Sequence, residues 1–164
     1  NQILLIKAFY EFSKIHKKYK LLLIGDGILK NRLLSEISNL DLNNKVFLRG
    51  WTNNTLKYVK NAKLFVFTSL YEGLGNVLID AINYDVPCIS TNCKSGPKEI
   101  LLNGKGGTLS KNNDVHDLSQ KMIYCIKNYS LAKKKNNISK KHLKRFLMND
   151  RSKDYQKLLI KYIN

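Results

Sequence analysis

SLYEGLGNVLIDA, residues 69–81, follows the apolar run LFVFT at 64–68 and opens a run with helical spacing. Gly73 and Gly75 sit at its centre, and the carboxylates Glu72 and Asp80 flank them eight positions apart. A strand, a glycine-containing turn and a helix start together form an anion site. The first N–H groups of the helix have no intrahelical acceptor, and the helix dipole favours negative charge there. The backbone N–H groups of Gly73, Leu74, Gly75, Asn76 and Val77 are therefore candidates to hold phosphate or sugar oxygens, with the alternative that Gly75 serves only the turn. Glu72 and Asp80 cannot face that phosphate, and they read instead as acceptors for hydroxyl groups. Phosphate beside hydroxyls describes a nucleotide-sugar.

Outward from this stretch, strand-like and helix-like runs alternate with short connections. Apolar residues at Leu4, Leu5, Ala8, Phe9, Phe12 and Ile15 have helical spacing, and LLLI at 21–24 reads as a buried strand ended by Gly25-Asp26-Gly27. Residues 29–40 read as a helix, 46–48 as a strand ended by Gly50, and 54–61 as a short helix capped by Asn53 or Asn54. Strands follow at 64–68, 88–91 and 107–109, and helices at about 76–84, at 98–102 behind Pro97, and from an Asp114 cap to about 128. This order predicts an α/β fold, a Rossmann-like parallel sheet of about five strands with helices on both faces. In such sheets ligands bind beyond the carboxyl ends of the strands, where the turns at 25–27, 50–51, 69–75 and 91–96 converge. Residues 1–128 read as this binding domain. Residues 129–164 read as a basic helical tail, weakly periodic and in part loose, with helical spacing returning at Tyr155, Leu158, Leu159 and Tyr162.

Composition narrows the alternatives. The 164 residues suit one cored domain, and no apolar run is long enough to span a bilayer. The chain begins inside an amphipathic run, without Met or a signal-peptide pattern, and reads as an excised domain. Cys88, Cys93 and Cys125 have no metal-ligand spacing, and they read as buried small residues in a reducing cytoplasm. His16, His116 and His142 are isolated on helical segments and read as surface residues. The net charge is +17, and from Lys127 onward twelve Lys and Arg face two Asp. Lys, Asn and Ile are all abundant, so this surplus is either a solvated product of biased composition or a surface for anionic lipid. No nucleic-acid motif accompanies it.

The segment SLYEGLGNVLIDAINYDVPCIST at 69–91 resembles the donor-site signature of the GT-B-fold retaining glycosyltransferases of family 4. LLLIGDGILKNRL at 21–33, KVFLRGW at 45–51 and SGPKEIL at 95–101 resemble further landmarks of that family, in its order. The resemblance covers roughly residues 1–125 and implies the C-terminal, donor-binding half of such an enzyme. It implies that Glu72 accepts hydrogen bonds from donor-sugar hydroxyls and that Asp80, a Glu in the family, holds the ribose hydroxyls. Being one methylene shorter, Asp80 demands a closer backbone or a bridging water. The resemblance also implies that Gly25, Asp26 and Gly27 line the cleft near the donor, with a plain turn as the alternative. Gly50 and Trp51 match the loop beside the nucleotide base, where Trp51 either packs on the base or covers the sheet edge. The resemblance of the 95–99 motif also implies that Lys98 faces phosphate, with Glu99 read as a structural cap.

The implied reaction moves a sugar from a UDP-linked donor to a lipid-linked or saccharide acceptor in surface-polysaccharide synthesis, with no metal or other cofactor. An Arg and a Lys that clamp the diphosphate in the family align upstream of Asn1, as does the acceptor-binding domain, so this chain alone is expected to be inactive. The implied location is the cytoplasm, peripheral to the inner face of the membrane. Two rivals remain from the sequence. One is a nucleotide-sugar epimerase on the same architecture, for which no convincing acid/base set is visible. The other is a non-catalytic basic module that binds anionic lipid or polymer.

Overall fold

The computed structural model describes residues 1–146 and 148–163. The elements run α1 (Gln2–Ile15), β1 (Leu21–Leu23), α2 (Lys30–Asn39), β2 (Val46–Leu48), α3 (Leu56–Val59), β3 (Phe65–Phe67), α4 (Asn76–Asn83), β4 (Cys88–Thr91), α5 (Pro97–Ile100), β5 (Thr108–Ser110), α6 (Val115–Lys127), α7 (Tyr129–His142) and α8 (Met148–Ile163). All strand pairings between these elements are parallel. The five strands form two ladders, β1–β2 and β3–β4–β5, where the sequence predicts one sheet of about five strands. The registers set Leu21 beside Val46, Phe65 beside Cys88 and Ile89 beside Thr108.

The two faces follow from the two-residue period of a strand. Val66 and Ile89 join a core with α1, α2 and α6, built on Leu4, Leu5, Phe9, Phe12, Leu33, Ile37, Leu118 and Met122. Phe65, Phe67 and Cys88 point the other way, into a second core with Leu78, Ala81, Ile82, Ile100 and Leu101. Each fully buried Leu, Ile or Phe contributes about 1.5–3 kcal/mol relative to exposure. Leu21 and Leu23 of the first ladder pack on the same core as Leu64 and Val66 of the second, so one apolar layer joins both ladders.

α4 ends in a Schellman closure: Val86 N–H donates to Ala81 O and Asp85 N–H to Ile82 O, with Asp85 left-handed at φ 59°. Lys133 Nζ donates to the Asp85 carbonyl at 2.6 Å, and Lys140 Nζ pairs with its carboxylate at 2.8 Å. Both lysines lie on α7, which is thereby fastened to the end of α4. Asn136 Nδ2 donates to Ile82 O at 3.2 Å and Ser139 Oγ to Ile100 O at 2.8 Å, both buried. α7, the first helix after residue 128, is thus built into the domain rather than trailing from it. α8 is different: Tyr155, Leu158, Leu159, Ile160 and Tyr162 are all exposed on it. No helix among the described residues is long and apolar enough to cross a membrane.

Candidate donor-binding site

The carboxyl ends of β3 and β4 carry the loops of residues 68–75 and 92–96. Glycine is required where they meet. Gly75, at φ 85°, precedes α4, and a Cβ there would touch the Phe67 ring at 3.4 Å. Gly96, at φ 72°, precedes α5, and a Cβ there would lie 2.4 Å from Leu74 O and 2.9 Å from Leu74 Cα. Hydroxyl groups complete the seam. Thr91 Oγ1 donates to Ser69 O at 2.6 Å, and Ser95 Oγ donates to the Glu72 carbonyl. Ser69 Oγ donates to Glu72 Oε1 at 2.7 Å, a short charge-assisted bond.

Around this seam the structure gathers most of the residues singled out in the sequence. The N–H groups of Gly73, Leu74, Gly75, Asn76 and Val77 donate to no acceptor among the described residues, whereas Leu78 N–H already donates to Gly75 O. Gly73, Asn76 and Val77 are exposed, and Glu72 and Asp80 are half-buried. Glu72 Oε2 and the Asp80 carboxylate have no hydrogen-bond or ion-pair partner among the described residues. Asn76 and Asp80 lie one helical turn apart on one side of α4. Lys98 is exposed on α5, just beyond Pro97.

A second group lies at the carboxyl ends of β1 and β2. Gly25 N–H donates to Gly50 O at 2.9 Å and joins the two loops, and Asp26 Oδ1 accepts from Gly27 N–H at 2.9 Å. Gly25, Asp26, Gly27 and Gly50 line a cavity of about 280 Å³ together with Ile28 and Leu33. Trp51 is not part of that lining. It stands 71% exposed, against the reading in which it covers the sheet edge. Neither Glu72 nor Asp80 borders this cavity. The start of α1 reaches the same end of the fold: Thr68 Oγ1 donates to Asn1 O at 3.0 Å, and Gln2 lines the cavity.

Ser69 and Thr91 carry hydroxyls that sequence reasoning did not single out, and Ser95 enters it only as part of the 95–99 motif. Their signal was a set of small hydroxyl residues at the carboxyl ends of strands, which turns use just as often. The histidines carry no part of the site. His16, expected at the surface, is half-buried and stacked on Phe12 at 4.9 Å. All three cysteines are buried, and burial raises each thiol above its ordinary range. Among the described residues no group of three His, Cys, Asp or Glu is placed to hold a metal ion.

The model of the family "Glycosyl transferases group 1" matches residues 1–145, through α7 and the turn that follows it. The chain belongs to this family. A Campylobacter jejuni N-acetylgalactosamine-N,N'-diacetylbacillosaminyl-diphospho-undecaprenol 4-alpha-N-acetylgalactosaminyltransferase is 32% identical over 146 residues, 89% of this chain and 39% of that protein. A Staphylococcus aureus poly(ribitol-phosphate) alpha-N-acetylglucosaminyltransferase is 31% identical over 129 residues, 79% of this chain and 26% of that protein. Among solved structures, a variant of S. aureus TarM in complex with fondaparinux, alpha-GlcNAc-glycerol and UDP superposes with a TM-score of 0.87 at 26% identity. That match covers 94% of this chain and 32% of TarM. The chain thus spans well under half the length of these relatives, and its fold is that of the Rossmann-like half of a GT-B glycosyltransferase.

Proposed function

We propose that this chain is the donor-binding domain of a retaining glycosyltransferase that moves a sugar from a UDP-sugar to a lipid-linked or saccharide acceptor. The observation that carries the reading is the row of N–H groups from Gly73 to Val77, unpaired within the described chain and flanked by two carboxylates that also lack partners on their open sides. The N–H groups bind diphosphate oxygens and stabilise the charge that grows on the leaving UDP. Glu72 accepts from sugar hydroxyls, and Asp80 accepts from the ribose. Gly25, Asp26, Gly27 and Gly50 border the place for the nucleotide base, with Trp51 free to close over it, and Lys98 adds positive charge near the phosphates. A UDP complex among the structural relatives, and the transferase names of the sequence relatives, support the donor and reaction class and weigh against the epimerase alternative.

The acceptor-binding half, and the basic groups that complete the diphosphate clamp, come from outside this chain. The exposed apolar positions of α8 are the surface on which that half packs. The enzyme works in the cytoplasm at the membrane surface, where its Lys-rich helices meet anionic headgroups. The test is product analysis of the full-length protein with a UDP-sugar and a lipid-diphosphate acceptor. The reading expects a glycosylated acceptor plus UDP, abolished by Glu72→Ala, and no turnover by residues 1–164 alone. Isomerised UDP-sugar without transfer would favour the epimerase, and salt-sensitive liposome binding without any nucleotide preference would favour the basic module.

A further inference from the structure

The structure assigns a positioning role to Ser69: its hydroxyl fixes the rotation of the Glu72 carboxylate, so that one oxygen is held in the protein and the other is aimed at the hydroxyls of the donor sugar. This deepens the donor-site reading above and rests on it. Ser69 Oγ donates to Glu72 Oε1 at 2.7 Å, while Oε2 has no partner among the described residues. A glutamate on an open loop has three side-chain rotors. A single fixed oxygen removes most of that freedom and leaves one defined acceptor direction.

The Ser69–Glu72 segment is itself held at two points. The Ser69 carbonyl accepts from Thr91 Oγ1 at 2.6 Å, and Thr91 is buried at the carboxyl end of the central strand β4. The Glu72 carbonyl accepts from Ser95 Oγ on the neighbouring loop. Main chain and side chain of Glu72 are therefore both tied, from two different loops, before any ligand arrives. Sugars that differ in the direction of one hydroxyl are told apart by a fixed acceptor and poorly by a mobile one. The Ser69 hydroxyl thus belongs to the selection of the sugar rather than to the grip on the nucleotide.

The experiment is a calorimetric titration of the 164-residue chain and its Ser69→Ala and Ser69→Thr variants with UDP, UDP-glucose and UDP-N-acetylglucosamine. Melting temperature serves as the check on folding. The wild type is expected to bind one conjugate more tightly than UDP. Ser69→Ala is expected to weaken that conjugate about tenfold, the scale of one hydrogen bond to a charged group, with UDP changed by less than about twofold. Ser69→Thr, which keeps the hydroxyl, restores the preference. A loosened loop would weaken UDP and its conjugates alike, so the ratio separates positioning from general structure. Should Ser69→Ala not fold, Ser69→Cys, similar in shape but a weak donor, is expected to lose the same ratio. A wild-type preference that Ser69→Ala leaves intact overturns this inference and spares the donor-site reading. A wild type that binds no conjugate more tightly than UDP overturns both.

Discussion

Replacing Gly96 by alanine tests whether the seam between the two loops is as tight as the structure has it. The added Cβ would lie 2.4 Å from Leu74 O, 2.7 Å from Leu74 C and 2.9 Å from Leu74 Cα. These are backbone atoms, which cannot rotate away. Overpacking against a fixed wall costs about 1–3 kcal/mol. The residue also has φ 72° and ψ −85°, a conformation that adds about 1–3 kcal/mol of strain for any side chain. The two together give about 2–6 kcal/mol, against a total stability of about 5–15 kcal/mol for a single domain. For a chain of this length each kcal/mol lowers the melting temperature by about 2–4 °C, so a drop of about 4–24 °C is expected by calorimetry or circular dichroism. Gly73→Ala is the control on the same loop. Its Cβ would meet nothing within 4 Å and its φ is not left-handed, so its stability stays within about 0.5 kcal/mol of wild type. A Gly96→Ala variant melting within about 2 °C of wild type would refute the packing argument.

Asp114→Ala removes the cap that accepts from Asp117 N–H at 2.8 Å at the start of α6. A loss of about 0.5–2 kcal/mol is expected in urea denaturation, with Asp114→Asn close to wild type. The three thiols should be silent toward Ellman's reagent in the native chain at pH 8. Burial lifts Cys88, Cys93 and Cys125 above the ordinary thiol range, and all three should react at once in denaturant; one fast native thiol would contradict the packing around it.

Legibility in the sequence tracked the kind of interaction. β4 was readable to the residue because its four positions, Cys88 to Thr91, are all buried, and a continuous apolar-to-small run behind Pro87 has few other readings. α6 was readable at its start because Asp114 does what a capping carboxylate does. α7 was hard to read because it docks through polar atoms. Asn136, Ser139, Lys133 and Lys140 grip backbone and carboxylate groups of other elements, and such contacts leave no apolar periodicity. His16 was misplaced for a related reason: the ring of a residue just past α1 folds back onto Phe12. The division of the strands into two ladders was not visible either, because strands of three or four residues carry the same apolar pattern whether or not their neighbours complete a ladder.

In the site, the two carboxylates and the glycine turn were legible from spacing. What orients Glu72 was not, because Ser69, Thr91 and Ser95 are common turn residues whose partners lie 3, 22 and 23 positions away in sequence. Of the two readings of Trp51, its 71% exposure goes against the one in which it covers the sheet edge, and the reading in which it packs on the base concerns a ligand contact.

The most direct test of the central claim is a calorimetric comparison of UDP, GDP, ADP and UDP-sugars binding to this domain and to its Asp80→Ala and Glu72→Ala variants. The account predicts selectivity for UDP. It also predicts that Asp80→Ala weakens UDP and its sugar conjugates alike, and that Glu72→Ala weakens only the conjugates, each by about 1.5–3 kcal/mol for a hydrogen bond to a charged acceptor. Equal affinity for all three nucleotides, or a Glu72→Ala variant that loses UDP as strongly as its conjugates, would contradict it.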